Sequence, residues 1–93
     1  MSKKIAKKSL GKGSTGRQIP KDLVEEIFMD HVLNNPLDGA TELKSIVLND
    51  SRWHHSAGWV KMERKLKTKE GQNVVIHFVY NKKTKIFDDF KFK

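Results

Sequence analysis

The sequence predicts an α+β domain. One N-terminal helix packs on a small antiparallel sheet, a meander of at least three strands, and a flexible basic arm precedes both. Three observations carry this. Apolar residues recur at helical spacing between Pro20 and Asn34, they alternate at strand spacing after Gly58, and two short polar turns separate the strand-like runs. A chain of 93 residues, 37% hydrophobic, has room for one modest core and one domain.

The charge is unevenly spread. Residues 1–20 carry six bases and no acid, residues 21–58 three bases and seven acids, and residues 59–93 ten bases and four acids. The total is +8 with a pI near 9.8, which makes an anion the expected partner. Residues 1–18 read as the flexible arm. Its repelling lysines and its Gly11, Gly13, Ser14 and Gly16 favour a tether that also adds non-specific phosphate contacts. Residues 19–93 form the single domain. Gly11, Gly13 and Gly16 match G-x-G-x-x-G by letter only, since no strand precedes them.

The helix is expected at about 20–34. Pro20 suits its first turn, and Leu23, Val24, Ile27, Phe28, His31 and Val32 follow i, i+3, i+4 spacing. Asp22, Glu25, Glu26 and Asp30 take the other faces, and Asn34, Asn35 and Pro36 end it. Residues 37–58 fit a short helix through Leu43, Ile46 and Val47, or a strand over 45–48. Strands follow at 59–67, 74–80 and 86–92, joined by turns at 70–72 and 81–85.

Alternation sorts the strand residues into two faces. Val60, Met62, Val74, Ile76, Phe78, Tyr80, Ile86, Phe90 and Phe92 turn toward the helix, with Asp88 as an awkward companion. Trp59, Lys61, Glu63, Lys65, Val75, His77, Val79, Asn81, Phe87, Asp89, Lys91 and Lys93 share the open face. That face holds the parts for cleaving RNA. His77 titrates near neutral pH and serves as base or acid. Glu63 or Asp89 orients it or supplies the second proton-transfer group, and Lys61 and Lys91 hold the phosphate and stabilise developing charge. The nucleophile is the substrate's own 2′-hydroxyl, so no metal or cofactor is expected.

Arg52, Trp53, His54, His55 and Trp59 are the candidate substrate-binding cluster, since Trp and His stack on bases and Arg grips phosphate or guanine. Tyr80 joins them as an aromatic of the central strand. The rival reading, favoured for at least one of Trp53 and Trp59, is that they close the edge of the core. His54 and His55 are adjacent and make a poor metal pair. Cysteine is absent, so disulfides, thiolate metal sites and a cysteine nucleophile are excluded. No apolar run reaches the length of a membrane span.

Residues 50–61, the run Ile76-His77-Phe78-Val79-Tyr80-Asn81 and the ending Phe87-Asp88-Asp89-Phe90-Lys91-Phe92-Lys93 carry a resemblance. Residues 20–93 resemble the C-terminal toxin domains of bacterial polymorphic toxins, of the contact-dependent or LXG type. Many such domains resemble the barnase–EndoU–colicin–RelE group of metal-independent ribonucleases, with a helical part before an antiparallel sheet. That group varies in its catalytic residues, so no fixed triad transfers. The resemblance implies a toxin tip detached from a larger secreted or surface-delivered protein. It would cleave RNA, such as tRNA, in the target-cell cytoplasm, act as a monomer when free, and be neutralised by an acidic cognate immunity protein. The alternatives are a metal-dependent DNase toxin, separated by chelator sensitivity, and a non-catalytic nucleic-acid-binding module, separated by binding that leaves RNA intact. A protein-binding adaptor is the last, marked by weak RNA affinity beside tight binding to one acidic protein.

Overall fold

The computed structural model describes residues 16–93. One helix, α1 (Leu23–Asn34), is followed by β1 (Thr41–Glu42), a 3₁₀ turn (His55–Ala57), β2 (Trp59–Lys67), β3 (Asn73–Asn81) and β4 (Phe87–Phe92). The strands form one antiparallel sheet in the order β1-β2-β3-β4. The α+β meander expected from the sequence is therefore present, with a fourth, two-residue strand at its edge. The flexible-arm expectation for residues 1–15 lies outside the described residues. At its C-terminal end, Arg17 belongs to the domain. Its backbone exchanges hydrogen bonds of 3.1 and 2.8 Å with Phe92. Gly16 has φ +103°, and a Cβ there would collide with the Phe92 carbonyl oxygen, so only glycine fits this approach.

The helix begins later than Pro20. Asp22 is its N-cap and accepts from the Glu25 N–H at 2.9 Å, which fixes the first turn at Leu23. Asn35 closes the other end. The buried stripe is turned by about one residue from the expected one. Glu25, Phe28, Met29 and Val32 are buried, whereas Leu23 and Ile27 are 67% and 61% exposed and His31 is exposed. An apolar count misses this because the inward stripe contains a carboxylate. Glu25 accepts both Arg17 guanidinium nitrogens at 2.7 Å and the Lys21 N–H at 2.9 Å, and these bonds offset its desolvation. Arg17 holds the Glu25 carboxyl below its ordinary range. The pair ties α1 to β4, since Arg17 also lies over the Phe92 ring.

The segment between α1 and β2 is neither the short helix nor the strand expected over 45–48. Its strand falls earlier, with Thr41 and Glu42 opposite Glu63 and Met62, and Leu43 N–H donates to the Lys61 carbonyl at 2.8 Å. Ile46 and Val47 remain 43% and 59% exposed. A long loop then crosses to Trp53.

β2 and β3 alternate as expected. Met62, Val74, Ile76, Phe78 and Tyr80 lie in the core with Phe28, Met29, Val32, Phe90 and Phe92. Arg64 also lies inward, over Phe28, and donates to the Asn35 carbonyl at 3.0 Å. β4 departs from simple alternation. Its register runs Tyr80↔Phe87 and Val79↔Asp88, then His77↔Lys91 and Ile76↔Phe92, so two residues oppose Phe78. Asp89 sits in this bulge with φ +58°. The extra residue moves Phe87 to the core face, where it stacks on Tyr80 at 4.7 Å, and moves Asp88 to the open face. Ile86 precedes the strand and is 54% exposed. The expected inward Ile86 and Asp88 and outward Phe87 are thereby corrected. Among the described residues, no helix is long and apolar enough to cross a membrane.

Candidate active site and cleft

The open face of the sheet carries Glu63, His77 and Lys91 in one cross-strand row, because β3 pairs Glu63 on one side and Lys91 on the other. Opposed residues on one face stand close enough to interact. His77 Nε2 lies 3.0 Å from Glu63 Oε2, with side chains 13% and 20% exposed. A carboxylate at that nitrogen fixes the tautomer with the proton on Nε2 and leaves Nδ1 as the acceptor. Burial pushes the His77 pKa below its ordinary value. The Glu63 bond opposes that shift, and the Lys61 and Lys93 charges add to it.

Lys61 lies one row away, paired with Val79. Burial lowers its pKa to about 8, helped by the neighbouring Lys91 charge and opposed by Asp89. Lys91 Nζ lies 3.1 Å from Asp89 Oδ2, and both side chains are buried. Asp89 and Lys91, two residues apart, share the open face, and the bulge adds Asp88 to it. All five candidate catalytic residues, Lys61, Glu63, His77, Asp89 and Lys91, are thus on one side of the sheet.

A cleft of about 220 Å³ lies beside the row. Its floor is Lys61, Val79, Asp89 and Lys91, and its wall is the loop of Val47, Leu48, Asn49, Asp50, Arg52 and Trp53. The covered face explains why Val79 is buried on the side away from the helix. Trp53 is 7% exposed and donates its Nε1–H to Asp88 Oδ2 at 3.1 Å, which fastens the loop to β4. Asp50 accepts the Arg52 backbone N–H at 2.8 Å, its Nε–H at 3.0 Å and its Nη2–H at 2.7 Å. The guanidinium lies over the Trp53 ring at 4.1 Å. One edge of the Arg52 fork is therefore committed to Asp50.

The other proposed binding residues divide. His54 caps the 3₁₀ turn, accepting the Ser56 N–H through Nδ1 at 3.2 Å, and its ring stacks on His55 at 4.4 Å. Neither histidine lines the cleft. Trp59 starts β2 on the same face as Lys61 but lies outside the cleft lining. Tyr80 is 8% exposed on the helix-covered face and stacks on Phe87, so the structure removes it from the open face. Alternation along β3 had already turned it inward.

Asp50, Asp88 and the 47–49 stretch were missed as site residues. The Asp50-Ser51-Arg52 spacing carries a signal in retrospect, because a carboxylate two residues before an N–H makes an Asx turn. Among the described residues, no group of three or more His, Asp or Glu side chains converges as a metal site. No family model matches the chain, and no curated protein or solved structure matches it.

Proposed function

We propose that this protein is a metal-independent endoribonuclease that cuts RNA by attack of the substrate's 2′-hydroxyl on the adjacent phosphate. The observation that carries the reading is the Glu63–His77–Lys91 row with Lys61 beside it. His77, uncharged at neutral pH because burial lowers its pKa, takes the 2′-hydroxyl proton on Nδ1. The oxygen bonds to phosphorus and the P–O5′ bond breaks, leaving a 2′,3′-cyclic phosphate. Lys61, still largely protonated at pH 7, gives its proton to the departing 5′-oxygen. Lys91, held by Asp89, stabilises the charge that builds on the phosphoryl oxygens. Glu63 keeps the imidazole in the productive tautomer.

The resemblance of residues 20–93 to polymorphic toxin tips supports a toxin role. On that reading the domain is delivered from a secreted or surface-bound parent, acts on RNA in the target-cell cytoplasm, and is held in check by an acidic immunity protein. Charge complementarity with a +8 chain favours rapid capture by such a partner.

The test is incubation of the purified protein with total cellular RNA and with plasmid DNA, each with and without EDTA. RNA cut in EDTA, with DNA intact, is the expected result. The variant His77→Ala should fall by at least about 100-fold, the scale of a lost acid–base group. Cleavage of DNA only with metal, or a folded His77→Ala protein with normal activity, would overturn the reading.

A further inference from the structure

We infer that the cleft beside the catalytic row is a subsite for one unpaired nucleobase, which stacks on the guanidinium plane of Arg52. The inference rests on the nucleic-acid reading of the open face and narrows its substrate to single strands. Three observations support it. Arg52 is fixed on two sides, by the Trp53 ring beneath it at 4.1 Å and by Asp50 along its Nε–Nη2 edge. That edge is one of the two forks with which an arginine clasps a phosphate or a guanine bidentately, and here it is committed to a carboxylate. Arg52 lines the cleft with its guanidinium laid over the Trp53 ring, so it brings a flat surface there. Guanidinium planes and aromatic rings are the surfaces on which proteins stack splayed-out bases.

The platform is also rigid. Trp53 is buried, and Asp88 holds its indole N–H from β4, 35 residues away. A base seated there is clamped against a surface that loses little freedom on binding. The cleft offers an apolar side, Val47 and Leu48, with Lys61 on its floor, so a base and its phosphate can occupy it side by side. A base inside a duplex cannot enter, because both of its faces are already stacked.

The test uses fluorescently labelled 2′-O-methyl oligonucleotides, in which the attacking hydroxyl is blocked, as a single strand and as the corresponding duplex. Binding is read by polarisation at fixed salt. The single strand should bind at least about 10-fold tighter than the duplex. Arg52→Lys, which keeps the charge and loses the plane, should weaken single-strand binding about 10-fold and leave duplex binding unchanged, the scale of one base–platform stack. In the unmutated chain, the Trp53 Nε1–H resonance should shift with the single strand and stay still with the duplex. Equal affinity for the two forms, or an Arg52→Lys protein that binds the single strand as well as the parent, overturns the inference. Cleavage of unmodified RNA is scored separately. A protein that binds as expected but never cuts refutes the ribonuclease reading alone, whereas one that cuts RNA but is indifferent to Arg52→Lys refutes the subsite alone.

Discussion

Replacing Glu63 by Gln gives the sharpest examination of the proposed mechanism. The change is nearly isosteric and removes one negative charge from a bond of 3.0 Å to His77. Two consequences follow. A carboxylate can only accept, so it enforces the Nε2–H tautomer, whereas an amide can also donate to Nε2 and leave the proton on Nδ1, where the base must accept. A charge-assisted hydrogen bond is worth about 1.5–3 kcal/mol, which corresponds to about a 10- to 150-fold loss in kcat if it serves only to hold the reactive form. The second consequence concerns pH. Glu63 is the main influence raising the His77 pKa against its burial. Without it the imidazole protonates at lower pH, so the acid limb of the rate profile should move downward while the rate falls. The assay is the initial rate on a short RNA with a fluorophore and quencher, measured across pH, with urea melts of both proteins alongside. A merely structural Glu63 would lower the urea midpoint and leave the position of the limb unchanged. An acid limb that moves upward, or a kcat within twofold of the parent, refutes the assignment of His77 and Glu63 as base and positioning carboxylate.

Three further outcomes follow from the same geometry. The kcat/KM profile of the unmutated protein should be bell-shaped, rising as His77 loses its proton below its ordinary pKa and falling as Lys61 loses its own near pH 8; a single limb across pH 5–9 would remove one of the two from the reaction. Asp89→Ala leaves the Lys91 ammonium buried without its carboxylate and puts alanine, which tolerates left-handed backbone less well than aspartate, at φ +58°, so stability should fall by about 3 kcal/mol in urea melts; a loss under about 1 kcal/mol would mean that Lys91 finds water instead. The Glu25 carboxyl is held below its unfolded value by Arg17, so it contributes stability above that value and loses it as pH falls through the folded one. Acid titrations followed by circular dichroism should therefore show a weaker pH dependence below about pH 4.5 in Glu25→Gln than in the parent, and identical slopes would locate acid unfolding elsewhere.

Much of this fold was legible because local signals agreed with the global one. The alternation in Val74-Val75-Ile76-His77-Phe78-Val79-Tyr80 puts His77 on the face opposite Ile76 and Phe78, and the turn between β2 and β3 sets the register that carries Glu63 to its flank, whereas Lys91 comes opposite His77 only through the β4 bulge. What escaped was decided by contacts between distant residues. The helix stripe turns because Glu25 meets Arg17, a partner beyond the helix itself, and a buried carboxylate has no place in an apolar count. The loop over the open face depends on Trp53 reaching Asp88, and neither side chain announces the other. The 45–48 run has strand-like residues but spends them as a wall, with Val47 and Leu48 lining the cleft.

The β4 bulge is where those two kinds of information meet. Asp88 and Asp89 are neighbours, and in a regular strand they would point to opposite faces, one of them into the core. An apolar core will not accept an unpaired carboxylate, so the Asp-Asp pair is itself a reason for the strand to break its alternation. Aspartate tolerates the left-handed conformation better than most residues, which lets Asp89 take the extra position. The break gives the two carboxylates separate tasks on one face. Asp88 holds the indole of the cleft wall, and Asp89 holds the Lys91 ammonium of the floor. The same argument explains why Phe87 and Phe90, three residues apart, can both reach Phe78 in the core: the extra residue supplies the odd step that a simple two-residue period forbids.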